Sequence, residues 1–226
     1  MIIKILQILF LEKEKVMKFH LSYALDTLDS ALALAKETEQ FVDIMGISPL
    51  LLYKEGIRAV SQFRAAFPNK ELFVEANLTE KTDILTKMFA DAGATYISVG
   101  AGTFYSHIQR AVIAGKERDV KIVLNLLDAS QVGQVTLDAK NLGVSALIFN
   151  QPAQEVQTDI NSLWHSVRDN TKLPIFIASK ITQETLPVIA QLNPYGVMIG
   201  TAIVKASDPV REARAFAMAI RETRGA

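Results

Sequence analysis

Cysteine is absent from all 226 residues, which removes disulfides, thiolate metal sites and thiol nucleophiles together and fits a reducing, cytoplasmic setting. Charge of one sign is absent too. Lys plus Arg and Asp plus Glu are each 24, for a formal net charge of +0, so nothing marks a polyanion-binding surface and nucleic acid is not an expected partner. Long apolar runs are also missing: the stretch Ile2 to Leu11 is broken by Lys4 and Gln7 and is too short to span a bilayer, so no membrane partner is expected. No small-residue cleavage site follows it, which argues against a signal peptide. A Gly-x-Ser-x-Gly elbow and a His-Glu-x-x-His zinc motif are both lacking, and with them the common hydrolase readings.

Half of the residues are hydrophobic (50%) and 21% are charged, enough to bury one large interior. A length of 226 residues approaches the roughly 250 typical of an eight-fold barrel. Residues 1–16 read as an N-terminal extension and 17–226 as one domain. The extension ends in Glu12-Lys13-Glu14-Lys15 just before Met17, and two readings stand. Translation starts at Met17, or the extension is an amphipathic helix packing on the domain or on a partner. An intact peptide from Ile2 to Lys15, found by mass spectrometry in protein made from its natural gene, would defeat the first.

From Lys18 onward short apolar runs alternate eight times with segments of helical period, the grammar of βα units. The expected strands are Phe19 to Leu25, Val42 to Ile47, Leu72 to Ala76, Tyr96 to Val99, Lys121 to Leu126, Ala146 to Phe149, Pro174 to Ala178 and Gly196 to Ile199. Helical spacing is clearest over Ser30 to Glu39, Leu50 to Phe67, Asp83 to Ala92 and Pro209 to Glu222. Capping side chains in Asp26-Thr27-Leu28-Asp29 and Thr182-Gln183-Glu184 mark helix starts, and the glycines of Ala92-Gly93-Ala94 and Leu142-Gly143-Val144 mark ends. An open doubly wound sheet shares this alternation, but eight evenly spaced units favour closure into a single (β/α)8 TIM barrel. Its chemistry belongs in the loops at the strands' carboxyl ends.

The residues at those ends carry a resemblance. Ala24-Leu25-Asp26, Val42-Asp43-Ile44, Glu55-Gly56, Phe67-Pro68-Asn69-Lys70, Asp91-Ala92-Gly93-Ala94, Gly200-Thr201-Ala202-Ile203 and Asp208-Pro209 occur in order and spacing. Together they make residues from Lys18 to Glu222 resemble the 3-hexulose-6-phosphate synthase and 3-keto-L-gulonate-6-phosphate decarboxylase group of the orotidine-monophosphate-decarboxylase superfamily. The resemblance implies a sugar-phosphate lyase acting through an enediolate. It also implies a homodimer in which the acid at the Glu80 position enters the partner's site.

That group's strand 3 ends Asp-x-Lys-x-x-Asp, where this chain has Glu75-Ala76-Asn77-Leu78-Thr79-Glu80. Both acids remain acids, while the lysine becomes an amide unable to shuttle a proton near neutral pH. The strand 2 glutamate that helps hold Mg2+ in the group matches Gly46, which leaves Glu75 and Asp26 as a weak pair of ligands for a possible Mg2+ and no organic cofactor. The histidine ending strand 6 matches Asn150, and the decarboxylases' arginine matches Ala153. For phosphate the resemblance leaves Gly200 and Thr201 after strand 8, and Ser179 and Lys180 where strand 7 supplies a glycine pair.

The expected roles are therefore proton exchange by Asp26, Glu75 and Glu80, orientation of substrate by Asn77 and Asn150, and phosphate holding by Ser179, Lys180, Gly200 and Thr201. Each has a plainer reading. Asp26 also suits a helix cap, Glu80 a loop or interface acid, and Lys180 a solvated cation. His20, His107 and His165 read as packing or surface residues, Trp164 as a helix-face anchor, and Gly100-Ala101-Gly102-Thr103 as a tight turn. A second functional reading also stands: a catalytically impaired barrel that binds a phosphorylated ligand without the parent turnover.

Overall fold

Ile44-Met45-Gly46-Ile47 is buried at every position, as a strand must be when one face meets a packed interior and the other meets helices. Eight such strands, all parallel, close into a barrel in sequence order. The computed structural model describes residues 17–150 and 160–223. The extension 1–16 and Ala153 lie outside them. The strands are β1 (Lys18–Ser22), β2 (Ile44–Ile47), β3 (Glu71–Leu78), β4 (Tyr96–Gly100), β5 (Lys121–Asn125), β6 (Ala146–Asn150), β7 (Ile175–Ala178) and β8 (Gly196–Ile199). The expected single (β/α)8 TIM barrel is the fold observed.

The outer layer holds α1 (Leu28–Thr38), α2 (Pro49–Glu55), α3 (Ile57–Ala66), α4 (Thr82–Asp91), α5 (Tyr105–Lys116), α6 (Val132–Leu142), α7 (Ile160–Arg168), α8 (Leu186–Gln191), α9 (Thr201–Val204) and α10 (Pro209–Glu222). Among the described residues no helix is long and apolar enough to cross a membrane. Most boundaries shift by one or two residues, and two differ by more than that. The first strand ends at Ser22 rather than Leu25, and the helical run read from Leu50 to Phe67 is two helices. Gly56 divides them at φ 60° and ψ −147°, a conformation only glycine adopts without strain, so helical spacing continued across a break it could not reveal. Thr27, not Asp26, caps α1, its hydroxyl accepting from the Ser30 N–H. Gly143 ends α6 at φ 83°, and Gly93 follows α4 at φ 103°, as the glycine signals predict.

Arg64 on α3 staples two turns. Its guanidinium donates to the carbonyls of Phe67, Pro68 and Lys70 on the way into β3 and to Gly93 O on the way into β4, at 2.8 to 3.1 Å. Five donors in a rigid fork suit such a cluster of acceptors.

Inside the barrel Phe73 stacks on Tyr96 with centroids 5.5 Å apart, and Phe176 meets both rings edge-on. At the amino end, the first residues of β1, β3, β4 and β5 form an ionic plug. Lys18 Nζ lies 2.5 Å from Glu71 Oε2, the Tyr96 hydroxyl donates to Glu71 Oε1 at 2.9 Å, and Lys121 Nζ donates to the Tyr96 oxygen at 3.2 Å. Lys18 also sits 5.6 Å from the centre of the Tyr195 ring. Burial, and then the Glu71 charge, hold the Tyr96 hydroxyl far above its usual range, so it stays a donor. The other end is where polar side chains gather without such closure.

Candidate active site

β3 supplies most of the site because it does not run straight. Its register against β4 shifts between Val74 and Leu78, and within that bulge Asn77 takes φ 46°, a left-handed conformation that asparagine tolerates better than most residues. Glu75 and Asn77 consequently reach different partners within the same mouth, Glu75 toward β1 and Asn77 toward β4 and β5.

On the β1 side, His20 is fully buried and its Nε2 lies 3.0 Å from Glu75 Oε1. A carboxylate accepts, so Nε2 carries the hydrogen, and Nδ1 meets no partner in its surroundings of Phe73 and Phe176. The imidazole fits only because β2 carries Gly46 beside it. A Cβ on Gly46 would stand 2.0 Å from His20 Nε2 and 2.4 Å from Glu75 Oε1, well inside contact distance.

On the other side runs a chain of neutral donors and acceptors from β6 to β3. Asn150 Nδ2 donates to Asn125 Oδ1 at 2.5 Å, Asn125 Nδ2 donates to Asn77 Oδ1 at 2.8 Å, and the Ser98 hydroxyl donates to the same Asn77 oxygen at 2.9 Å. Two backbone N–H groups fix it. Leu127 N–H donates to Asn125 Oδ1 at 3.1 Å, which orients that amide, and Asn77 N–H donates to Ser98 Oγ at 2.9 Å. With its oxygen taken twice, Asn77 keeps two Nδ2 hydrogens for a further acceptor.

The remaining expected site residues occupy the rim. Ser179 and Lys180 follow β7, half-buried and exposed respectively. Gly200 follows β8, where a Cβ would stand 3.3 Å from Ser22 Cβ, and Thr201 opens α9. Asp26 lies in the loop after β1 with 81% of its side chain exposed, and Lys54 Nζ of α2 donates to it at 2.5 Å. That hydrogen bond and the Lys54 charge hold the Asp26 carboxyl below the usual carboxylate range, with Lys205 adding to the pull. Glu80 is exposed and lines a cleft of about 370 Å³ with Tyr53, Asn77, Leu85 and Phe89, outside the barrel between α2 and α4.

Asn77 and Asn150 are thus joined through Asn125, Glu75 is bonded separately to His20, Asp26 pairs with Lys54, and Glu80 lines the cleft beside Asn77. Ser98 and Asn125 were not singled out from sequence, and His20 was read as a packing or surface residue. The available signal was a polar residue inside a strand buried on both faces, as in Phe19-His20-Leu21 or Leu124-Asn125-Leu126. Of the other histidines, His107 Nδ1 lies 2.8 Å from Thr79 O and steadies the loop bearing Glu80, and His165 pairs with Asp169 at 3.6 Å on an exposed surface. Trp164 is buried against Phe149 at 5.8 Å. The Gly100–Thr103 turn closes on Asp128, whose Oδ2 lies 2.9 Å from where a Cβ on either glycine would stand.

Among the described residues no group of three or more His, Asp or Glu gathers to hold a metal ion. Glu75 is bonded to His20, Asp26 to Lys54, and Gly46 offers no ligand.

No protein-family model matches the chain. It is similar to a 3-hexulose-6-phosphate synthase of Bacillus subtilis, 26% identical over 200 residues that cover 87% of this chain and 95% of the relative. A 3-keto-L-gulonate-6-phosphate decarboxylase of Escherichia coli is 26% identical over 216 residues, covering 91% and 98%. Among solved structures, 3-hexulose-6-phosphate synthase from Salmonella typhimurium superposes with a TM-score of 0.85 at 25% identity, over 92% of this chain and 100% of that one. Orotidine 5'-monophosphate decarboxylase from Methanocaldococcus jannaschii, complexed with inhibitor BMP, shares the barrel at a TM-score of 0.78 and 16% identity, over 91% and 99%.

Proposed function

We propose, from homologues named 3-hexulose-6-phosphate synthase and 3-keto-L-gulonate-6-phosphate decarboxylase, that this barrel is a sugar-phosphate lyase acting through an enediolate. The observation that carries the reading is the convergence of Glu75 and the Asn150–Asn125–Asn77 chain at the carboxyl-end mouth, where such barrels do their chemistry. Breaking a carbon–carbon bond beside a ketone leaves its electron pair in an enediolate, whose oxygen needs donors and whose carbon takes up a proton or an aldehyde. The Asn77 Nδ2 hydrogens meet that oxygen, and the Glu75 carboxyl, held by His20, exchanges the proton. Ser179, Lys180, Gly200 and Thr201 bind the phosphate, with Asp26 and Glu80 ordering the rim.

One feature favours a second reading, a barrel that binds a phosphorylated ligand without that turnover. The mouth stabilises charge with neutral amides at Asn77 and Asn150, and loss of one oxyanion-stabilising group costs about 100- to 1,000-fold in rate. Thermal shifts with sugar phosphates, run beside turnover of hexulose 6-phosphate and 3-keto-L-gulonate 6-phosphate, separate the two. Turnover that Glu75→Gln abolishes supports the lyase, binding without turnover supports the second reading, and neither result removes both.

The same reading includes a cytoplasmic homodimer. Tyr53 is 90% exposed beside the cleft that holds Glu80, and Leu50, Ile57, Ile84 and Met88 are exposed on the same helices. A second copy covers this surface. Light scattering should give twice the chain mass, and Tyr53→Asp should halve it.

A further inference from the structure

We infer that the cation position implied by the relatives is filled in this barrel from within, by the His20 imidazole, so that its site works without a bound divalent ion. The inference concerns this chain's own side chains, and it stands or falls separately from the lyase reading.

Three observations carry it. The first is space. A carboxylate on β2 has to start from a Cβ, and at Gly46 that atom would overlap His20 Nε2 at 2.0 Å. The ring cannot swing aside, because it is fully buried with Phe73 and Phe176 at centroid distances of 5.0 and 6.5 Å.

The second is hydrogen-bond polarity. Mg2+ binds oxygen lone pairs at about 2.0 to 2.1 Å in near-octahedral array. At Glu75 the Oε1 atom already accepts from Nε2 at 3.0 Å, so the oxygen on the β1 side, facing Gly46, is committed to an N–H hydrogen. Freeing that oxygen would leave both imidazole nitrogens without a partner in the buried cage, since Nδ1 has none already.

The third is charge. Asp26, the other acid matched to the relatives' strand ends, binds the Lys54 ammonium at 2.5 Å, with Lys205 also acting on it. A cation approaching Asp26 meets two cations first. Gly46 and His20 thus form a matched exchange, in which the small residue on β2 makes room for the large one on β1 and the carboxylate on β3 changes its partner from an ion to an N–H. His20 is a positioning residue, since it is fully buried and reaches a ligand only through Glu75.

The test uses the full chain without substrate and Mn2+ as a spin probe, with free Mn2+ followed by electron paramagnetic resonance. Wild type should show no stoichiometric site up to millimolar Mn2+. The paired change His20→Ala with Gly46→Glu, folded as judged by circular dichroism, should gain one Mn2+ per chain, and adding Glu75→Gln should remove it. One Mn2+ bound per wild-type chain and lost in Glu75→Gln overturns the inference, and so does a folded paired variant that gains none. If the paired variant does not fold, the wild-type and Glu75→Gln titrations alone decide.

Discussion

Placing one methyl group at Gly46 should destabilise the barrel out of proportion to its size. The added Cβ overlaps His20 Nε2 and Glu75 Oε1, so either β2 moves or the imidazole leaves Glu75. β2 is held from both sides: Gly46 pairs with Ser22 and Phe73, and its carbonyl accepts from Tyr23 N–H at 2.9 Å. Overpacking a filled interior costs about 1–3 kcal/mol. Stranding a buried polar group costs about 1–3 kcal/mol more. The stiffer unfolded chain of Gly→Ala returns about 0.4–1 kcal/mol. Taking middle values, Gly46→Ala should cost about 3 kcal/mol, a fall in Tm of about 6–12 °C for a chain of this length. His20→Ala alone leaves a cavity and should cost about 2–4 kcal/mol. In the double variant the overlap with the imidazole is gone and only that with Glu75 Oε1 remains, at the end of a flexible side chain released from His20, so the two losses should fall short of additivity by about 2 kcal/mol. Thermal or urea unfolding of the four proteins measures this directly. Strict additivity, or a Gly46→Ala loss under about 1 kcal/mol, would refute the steric coupling of the two positions.

Asn125→Ala should cost about 1–3 kcal/mol, because it strands Asn150 Nδ2 and the Leu127 N–H and leaves Asn77 Oδ1 with Ser98 alone, and should weaken sugar-phosphate binding in the same thermal-shift assay. Asp26 should titrate below an ordinary aspartate by NMR, so the Lys54 contact is fully present above the unfolded-state carboxyl range and is lost as pH falls through the depressed value; Lys54→Met should move the titration back up. Arg64→Lys should lower stability by about 2 kcal/mol with little effect on ligand binding, since an ammonium cannot span the carbonyls of Phe67, Pro68, Lys70 and Gly93. Glu71→Gln should destabilise by about 1–3 kcal/mol at neutral pH by leaving Lys18 and Lys121 without their shared carboxylate, a loss that unfolding curves will report.

Sequence pattern was enough for the architecture because eight apolar runs at regular spacing admit few closed solutions, and every expected strand is present. Boundaries were less legible where one residue's dihedral decides them: nothing in the spacing from Leu50 to Phe67 distinguishes a continuous helix from two helices meeting at Gly56. The site divides the same way. Glu75, Asn77 and Asn150 were named because the resemblance matches them to residues near the carboxyl ends of strands 3 and 6, and they lie in the second half of β3 and at the last position of β6. His20 was read as packing because it lies mid-strand; its partner is 55 residues away, and only closure of the barrel brings β1 beside the bulged β3. Asn125 was hidden in an apolar run for the same reason, and its two amide partners lie 48 and 25 residues distant in the chain.

The ionic plug of Lys18, Glu71, Lys121 and Tyr96 ties the amino end of the barrel together across β1, β3, β4 and β5 and gives the molecule a cross-braced floor. Beneath the mouth the interior is filled by Phe73, Tyr96 and Phe176, so a ligand has only the carboxyl-end face to enter by. Loops at the open end can be exchanged wholesale while the foundation stays braced, which makes the chain a suitable chassis for grafting new recognition elements.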